Sequence, residues 1–353
     1  MRIRRKGFFL KKEVQQRSRG SKPIHCRSRR RYAPLRVRSF LLLFFKKEAL
    51  LFYLLSLLSA CAEPPPNSAA ACALERRGEF QLNFGDGLPT IPVTLDGSSG
   101  NLLFDTGASM TTLSAVAAAR MDLLHNGNMR ITSHGIGGKS EAIAADVARF
   151  RIGDMELQRR TVMVIPFELR GFKAGPPDGL LGFDIFSQFD VEFDLMTGRG
   201  TFYRPRNCPS AVPNWLLASN RFVIPSTTPS GKLQIEVELD GKRLVATVDT
   251  GAGGTLVSSA AAAKLGVTAQ QLSSARAIAG YGVAPTDVQM RVVRFRELRV
   301  GQETAKTPEL AITDLPPGAG DMLLGMNYLR NRKLWISLSS RTLHLSIPQA
   351  QTR

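Results

Sequence analysis

The chain has 353 residues, long enough for two domains of ordinary size, and 43 % of them are hydrophobic, enough for packed cores. Its formal net charge of +18 suggests nucleic acid until it is mapped: residues 1–60 hold 17 of the 47 Lys/Arg and 2 of the 29 Asp/Glu, a net +15, and the remaining 30 and 27 leave only +3. The globular part therefore makes no electrostatic case for nucleic acid. Its four Cys are too few for a disulfide-stapled scaffold and include no C-x-x-C, and its four His show no H-E-x-x-H spacing, so a zinc hydrolase is not expected.

In chain order, residues 1–60 read as a basic leader and signal peptide. The apolar run Ala49 to Ala60 follows Lys46-Lys47. It is shorter than the ~20 residues needed to span a bilayer but has the length of a signal-peptide core. It ends Leu58-Ser59-Ala60-Cys61, and these small residues before a Cys resemble the bacterial lipobox. That resemblance implies cleavage before Cys61, lipid on its sulfur and new amino terminus, and a firm hold on a membrane face. With Ala62 next, it implies the periplasmic side of the outer membrane of a bacterial cell envelope. Residues 61–77, rich in Pro and Ala, read as a tether.

The rest of the chain repeats itself at an offset near 144. Leu95-Asp96-Gly97 matches Leu239-Asp240-Gly241, and Asp105-Thr106-Gly107-Ala108 matches Asp249-Thr250-Gly251-Ala252. Thr111 and Ser114 match Thr255 and Ser258, and Asp178, Leu180, Leu181 and Gly182 match Asp321, Leu323, Leu324 and Gly325 at an offset of 143. A period this long means two similar domains: residues 78–206 and 220–348, with a linker at 207–219 and a tail at 349–353.

Each half reads as strands. Ile91, Val93 and Leu95 alternate with polar or small residues, Asp96-Gly97 turns, and Leu102 to Phe104 runs into Asp105. Leu233 to Leu239, Asp240-Gly241 and Leu244 to Val248 repeat the pattern up to Asp249. Ala-rich segments follow, Ser114 to Leu124 and Ser258 to Leu265, each with Ser as N-cap; Gly266 suits the second helix's end. After each Leu-Leu-Gly a short helical stretch precedes two strands, at 191–195 and 200–204 and again at 334–338 and 342–346. The expected class is all-β with a few short helices.

One Asp-Thr-Gly is a weak signal, since Asp and Gly favour turns. Two copies, each closing an apolar strand and each followed by Leu-Leu-Gly, are a strong one. With these motifs the chain resembles the aspartic proteases: retropepsin-like β-barrel domains duplicated in one chain, over about 270 residues, in the manner of the two-lobed pepsins. The resemblance implies an endopeptidase with its active site at the interdomain cleft and a peptide or protein as substrate. Two carboxylates in contact cannot both ionise readily, so one holds a proton while the other activates water. Asp105 and Asp249 are expected to be that pair, one from each domain, with the attacking water bound between them, so the resemblance implies no metal and no organic cofactor. Gly107 and Gly251 let the loops turn tightly, and Thr106 and Thr250 resemble the family hydroxyls that bond across the interface.

The family also implies flaps. Gly135-Ile136-Gly137-Gly138 lies 30 residues after Asp105, and Gly280-Tyr281-Gly282 lies 31 after Asp249. Tyr281 is a candidate substrate contact, whereas His134 reads as an exposed turn residue and Trp215 and Trp335 as packing. Ser109 and Gly253 stand where retropepsins usually carry an acidic residue. Phe183 and Met326 stand where they often carry Arg, which removes a structural ion pair and leaves open how the domains are held. The sequence leaves the pairing of Cys72 with Cys208 open. The halves are expected to pair within one chain, giving a monomer; pairing between chains is the other arrangement. A non-catalytic peptide-binding module on the same fold is the alternative function.

Overall fold

The computed structural model describes residues 73–123, 125–166, 168–207, 212–224, 231–282 and 286–348. Cys61, Cys72 and Cys208 lie outside the described residues, and with them the lipidation site and the Cys72–Cys208 pairing that the sequence leaves open. Strands dominate, and the few helices are short. Among the described residues no helix is long and apolar enough to cross a membrane.

Two sheets carry the two lobes and repeat one plan. In the first, Ser98–Phe104 pairs in parallel with Gly179–Leu181, Leu103 opposite Leu180 and Phe104 opposite Leu181. In the second, Lys242–Val248 pairs in parallel with Met322–Leu324, Val248 opposite Leu324. The Leu-Leu-Gly segments thus lie directly beside the strands that end in Asp. The turns before those strands behave as their sequence dictates. Asp96 and Gly97 have φ of 49° and 94°, and Asp240 and Gly241 have 51° and 79°. Two positive φ values in a two-residue loop match the twist of a hairpin, and Asp-Gly tolerates them at least cost.

The Ala-rich segments form helices at Ala115–Arg120 and Ser259–Lys264. The Oγ of Ser114 accepts from the Ala117 N–H at 3.1 Å and that of Ser258 from the Ala261 N–H at 3.0 Å. The first helix stops four residues before the expected Leu124, the chain turning at Asp122 with φ of 52°. Gly266 takes φ of 89° just past the second, the left-handed conformation expected of a glycine there.

A third sheet joins the lobes. Its six strands run Ala73–Gln81, Arg199–Arg206, Asp190–Asp194, Lys333–Ser337, Thr342–Ser346 and Ser219–Val223. The order is palindromic: each lobe gives its first strand and its last two. The seam is Asp190–Asp194 against Lys333–Ser337, with Val191 opposite Ile336 and Phe193 opposite Leu334. The outer strand begins at Ala73, inside the stretch 61–77 read as tether, because Leu74, Glu75 and Arg76 pair with Pro205, Arg204 and Tyr203. Likewise Asn214–Ala218, inside the 207–219 linker, is a 3-10 turn, and Ser219 already belongs to the sheet. Trp335 is fully buried in the seam, and Trp215 donates its Nε1–H to Glu192 at 2.9 Å. Both tryptophans pack, as expected.

A buried ion pair supports the second lobe at a place the sequence did not indicate. Arg332, 4 % exposed, donates from both terminal nitrogens to Glu303 at 2.8 Å each and lies 3.9 Å over the Tyr328 ring. In the first lobe a group of Phe rings fills the core. The ring of Phe104, next to Asp105, packs tilted on Phe186 at 4.7 Å and edge-on to Phe193 at 4.9 Å between centroids. The strand that delivers Asp105 is thus anchored by aromatic packing worth about 0.5–1.5 kcal/mol per pair beyond area burial.

Candidate active site

The two Asp-Thr-Gly loops meet at the lobe interface. Each aspartate is first fixed by its own loop. Asp105 Oδ1 accepts from the Gly107 and Ala108 N–H groups at 2.8 and 2.9 Å, and Asp249 Oδ1 from those of Gly251 and Ala252 at 2.9 and 3.0 Å. Each backbone is tied to the neighbouring Leu-Leu-Gly strand, Asp105 N–H to Leu181 O at 3.1 Å and Asp249 N–H to Leu324 O at 3.0 Å.

The glycines then decide how near the loops come. A Cβ on Gly107 would sit 2.4 Å from Asp249 Cγ, and one on Gly251 would sit 2.4 Å from Asp105 Cγ. Each aspartate is thus packed against the other lobe's glycine. No other residue fits at either position. Gly182 and Gly325 are equally constrained from behind, a Cβ there falling 2.4 Å from Met110 C and 2.3 Å from Gly254 O.

The threonines lock the loops reciprocally. Thr106 N–H donates to Thr250 Oγ1 and Thr250 N–H to Thr106 Oγ1, both at 3.1 Å. Thr106 Oγ1 donates to Val248 O at 2.7 Å and Thr250 Oγ1 to Phe104 O at 2.5 Å. Both side chains are fully buried. Beneath them the repeat diverges: Asp184 accepts from Thr111 N–H and Oγ1–H at 2.8 Å, whereas Asn327 accepts from Thr255 Oγ1–H at 2.7 Å.

Burial pushes both dyad carboxyls above the ordinary carboxylate range. Asp249 goes well above it because the Asp105 charge adds to its burial. One cation opposes this, Lys232, whose charge draws both back down. The pair therefore retains a proton more readily than two isolated carboxyls, and it titrates as a unit.

The dyad floors a cavity of about 830 Å³. The first wall includes Met110, Ile131, Ala142, Met163 and Ile165; the second includes Leu256, Ile278, Met290, Val292 and Ala311. Two hairpins reach over it. His125–Gly135 pairs with Gly138–Ile152, its tip at Ile136-Gly137, and Arg276–Gly280 pairs with Val288–Arg294. Gly135, Ile136, Gly280, Tyr281 and Gly282 line the cavity; Gly137 and Gly138 complete the first tip. The tips touch. A Cβ on Gly282 would lie 2.2 Å from Ile136 O, and Thr286 Oγ1 donates to Gly137 O. Tyr281 lies against Gly171 of the first lobe, and Arg170 pairs with Asp287 at 2.6 Å. His134 is exposed on the first hairpin and also lines the cavity.

Lys232 is a cavity residue that the sequence does not single out. Its Nζ donates to Gly107 O at 2.5 Å, from the second lobe to the first. One signal was present: at the repeat offset of 144, Lys232 falls on Leu88, a cation on an apolar seat.

Comparison with protein families agrees with this geometry. Residues 91–185 match the aspartyl protease family model, and residues 235–331 match that of the gag-polyprotein putative aspartyl protease. Each match spans one Asp-Thr-Gly and one Leu-Leu-Gly. No curated protein matches the chain. The fold is thus that of tandem retropepsin-like domains. The chain carries two aspartyl-protease family domains, one per lobe.

Proposed function

We propose that the protein is an aspartic endopeptidase whose dyad is Asp105 and Asp249. The observation that carries this reading is the reciprocal seating of each aspartate on the other lobe's glycine, which unites two carboxyls in one apolar-walled cleft. The pair holds one proton. The ionised carboxyl takes a proton from a water molecule as its oxygen attacks the peptide carbonyl carbon, and the protonated one gives its proton to the carbonyl oxygen. The tetrahedral diol then collapses: a proton passes to the amide nitrogen, the C–N bond breaks, and acid and amine leave. The hairpins exclude bulk water and hold the substrate strand. Because both Asp-Thr-Gly loops belong to one chain, a monomer suffices.

The same proposal includes a lipid anchor at Cys61 that tethers the enzyme to the periplasmic side of a bacterial outer membrane, resting on Leu58-Ser59-Ala60-Cys61. Mass spectrometry of the mature amino terminus tests it: a Cys61 that carries lipid on both its sulfur and its amino group is expected, and an uncleaved leader would overturn it.

The test of the activity is a form beginning at Ala73 incubated with a diverse peptide pool between about pH 3 and 7. Wild type is expected to cleave, and Asp105→Asn and Asp249→Asn to lose all cleavage. Folded wild type that binds peptides and never cuts them would instead make the cleft a binding module, peptides lying in it by strand-like backbone hydrogen bonds.

A further inference from the structure

Among the described residues six charged side chains line the cleft: Asp105, Asp249, Arg170, Lys232, Arg276 and Glu309. The two aspartates are the dyad. Arg170 pairs with Asp287 at 2.6 Å, and Arg276 approaches Glu309 at 3.8 Å. Lys232 differs from both arginines. Among the described residues no carboxylate lies within ion-pair distance of it, and its single hydrogen bond goes to a neutral acceptor, Gly107 O.

An ammonium has three donors, and the one protein acceptor here, Gly107 O, takes one of them in a half-buried position between apolar walls. A charge so placed is costly unless an opposite charge and further hydrogen bonds offset its lost hydration. The dyad offsets it partly, through space. A carboxylate entering the cleft would complete it.

The position is also asymmetric. Leu88, the repeat equivalent of Lys232, packs with Leu103, Leu180, Ala108 and Phe172. Two seats related by the duplication, both on the cavity, therefore offer opposite chemistry, one cationic and one aliphatic. A peptide strand has its own direction, so such a pair of seats discriminates between substrate residues on the two sides of the scissile bond.

We propose that Lys232 is a specificity-determining residue: it receives an Asp or Glu side chain at one fixed position of the bound peptide, while the matching seat at Leu88 receives an apolar one. This rests on the reading of the cleft as a peptide site.

The test uses the full chain and a set of otherwise identical fluorescent peptides that carry Glu, Gln or Lys at each position in turn around an apolar core. Wild type is expected to prefer Glu over Lys at one position by about tenfold or more in kcat/KM, ~1.4 kcal/mol. Lys232→Arg keeps the preference, Lys232→Met levels it and Lys232→Glu reverses it. Each ratio is taken within one variant, so a general loss of activity does not enter. Equal Glu-to-Lys ratios in wild type and Lys232→Met would overturn the proposal.

A binding arm separates this inference from the peptidase reading. The same peptides are titrated by anisotropy into Asp105→Asn, with and without Lys232→Met. If wild type cuts nothing, the peptidase reading fails, yet a Glu preference in binding that Lys232→Met abolishes still supports the role of Lys232. Binding without such a preference, or no binding at all, overturns it.

Discussion

Thr250→Val isolates the device that holds the two Asp-Thr-Gly loops together. The substitution is nearly isosteric, so it removes hydrogen bonds without opening a cavity. Two partners are left behind. Phe104 O loses its donor at 2.5 Å, and Thr106 N–H loses its acceptor at 3.1 Å. Both lie in a fully buried contact between lobes. Each buried polar group left without a partner costs about 1–3 kcal/mol, so the expected loss is about 2–6 kcal/mol. That is a large part of the ~5–15 kcal/mol that stabilises a typical domain. Thr250→Ser keeps the hydroxyl and deletes one methyl, for about 1 kcal/mol. Urea denaturation followed by tryptophan fluorescence reads both, since Trp335 is buried in the sheet that joins the lobes. Phe104 also precedes Asp105, so the loops shift when this bond is lost, and kcat is expected to fall about 100-fold in Thr250→Val. A Val variant within about 0.5 kcal/mol of wild type, or a Ser variant as damaged as Val, would refute the assignment of the energy to these bonds.

Gly107→Ala and Gly251→Ala are each expected to abolish cleavage, because the added carbon would stand 2.4 Å from the opposite aspartate's Cγ; peptide cleavage beside circular dichroism checks this, and an active variant would contradict the geometry. Asp249 has a folded pKa raised by burial and by Asp105, so the stability its protonated form contributes is present in acid and lost as pH rises through the folded value. Asp249→Asn should therefore melt progressively higher than wild type on going from about pH 4 to 7, and a constant gap in Tm would count against it. His344 has the opposite sign: burial, then the Arg221 charge, holds its imidazole below the ordinary value of 6.5. Its contribution is present above 6.5 and lost as pH falls through the folded value, which NMR titration of the ring checks directly. Asp287→Asn removes the ion pair to Arg170, and amide exchange at Gly135 to Gly138 should speed up; unchanged exchange would show that the contacts of Tyr281 and Thr286 suffice to hold the tips.

Much of the site was legible in the sequence because its parts are local. An Asp-Gly dipeptide takes two positive φ values wherever strands flank it, a Ser before an Ala run caps a helix, and an apolar strand ending in Asp-Thr-Gly brings its own amides to its own carboxylate. Duplication made these signals readable twice, and so Asp105, Asp249, Thr106 and Thr250 could be singled out together. The end of the first helix at Arg120 and the strand at Ala73 are not legible in the sequence, since both depend on what the segment meets. Residues 73–77 carry no strong periodicity of their own and become a strand because Arg199–Arg206 offers an open edge.

By itself, then, the sequence determined the repeat, the two catalytic candidates and the all-β class, all of which follow from short-range patterning. Only the tertiary structure decided what crosses from one lobe to the other: the palindromic sheet, the seating of each aspartate on the opposite glycine, the contact of the hairpin tips, and Lys232 beside a loop 125 residues away in the chain. Such contacts are selected by shape and charge between distant segments, and no local propensity encodes them. Lys232 shows the difference most simply: in the sequence it is an ordinary lysine before a strand, and in the fold it is the one cleft cation, among the described residues, with no carboxylate within ion-pair distance.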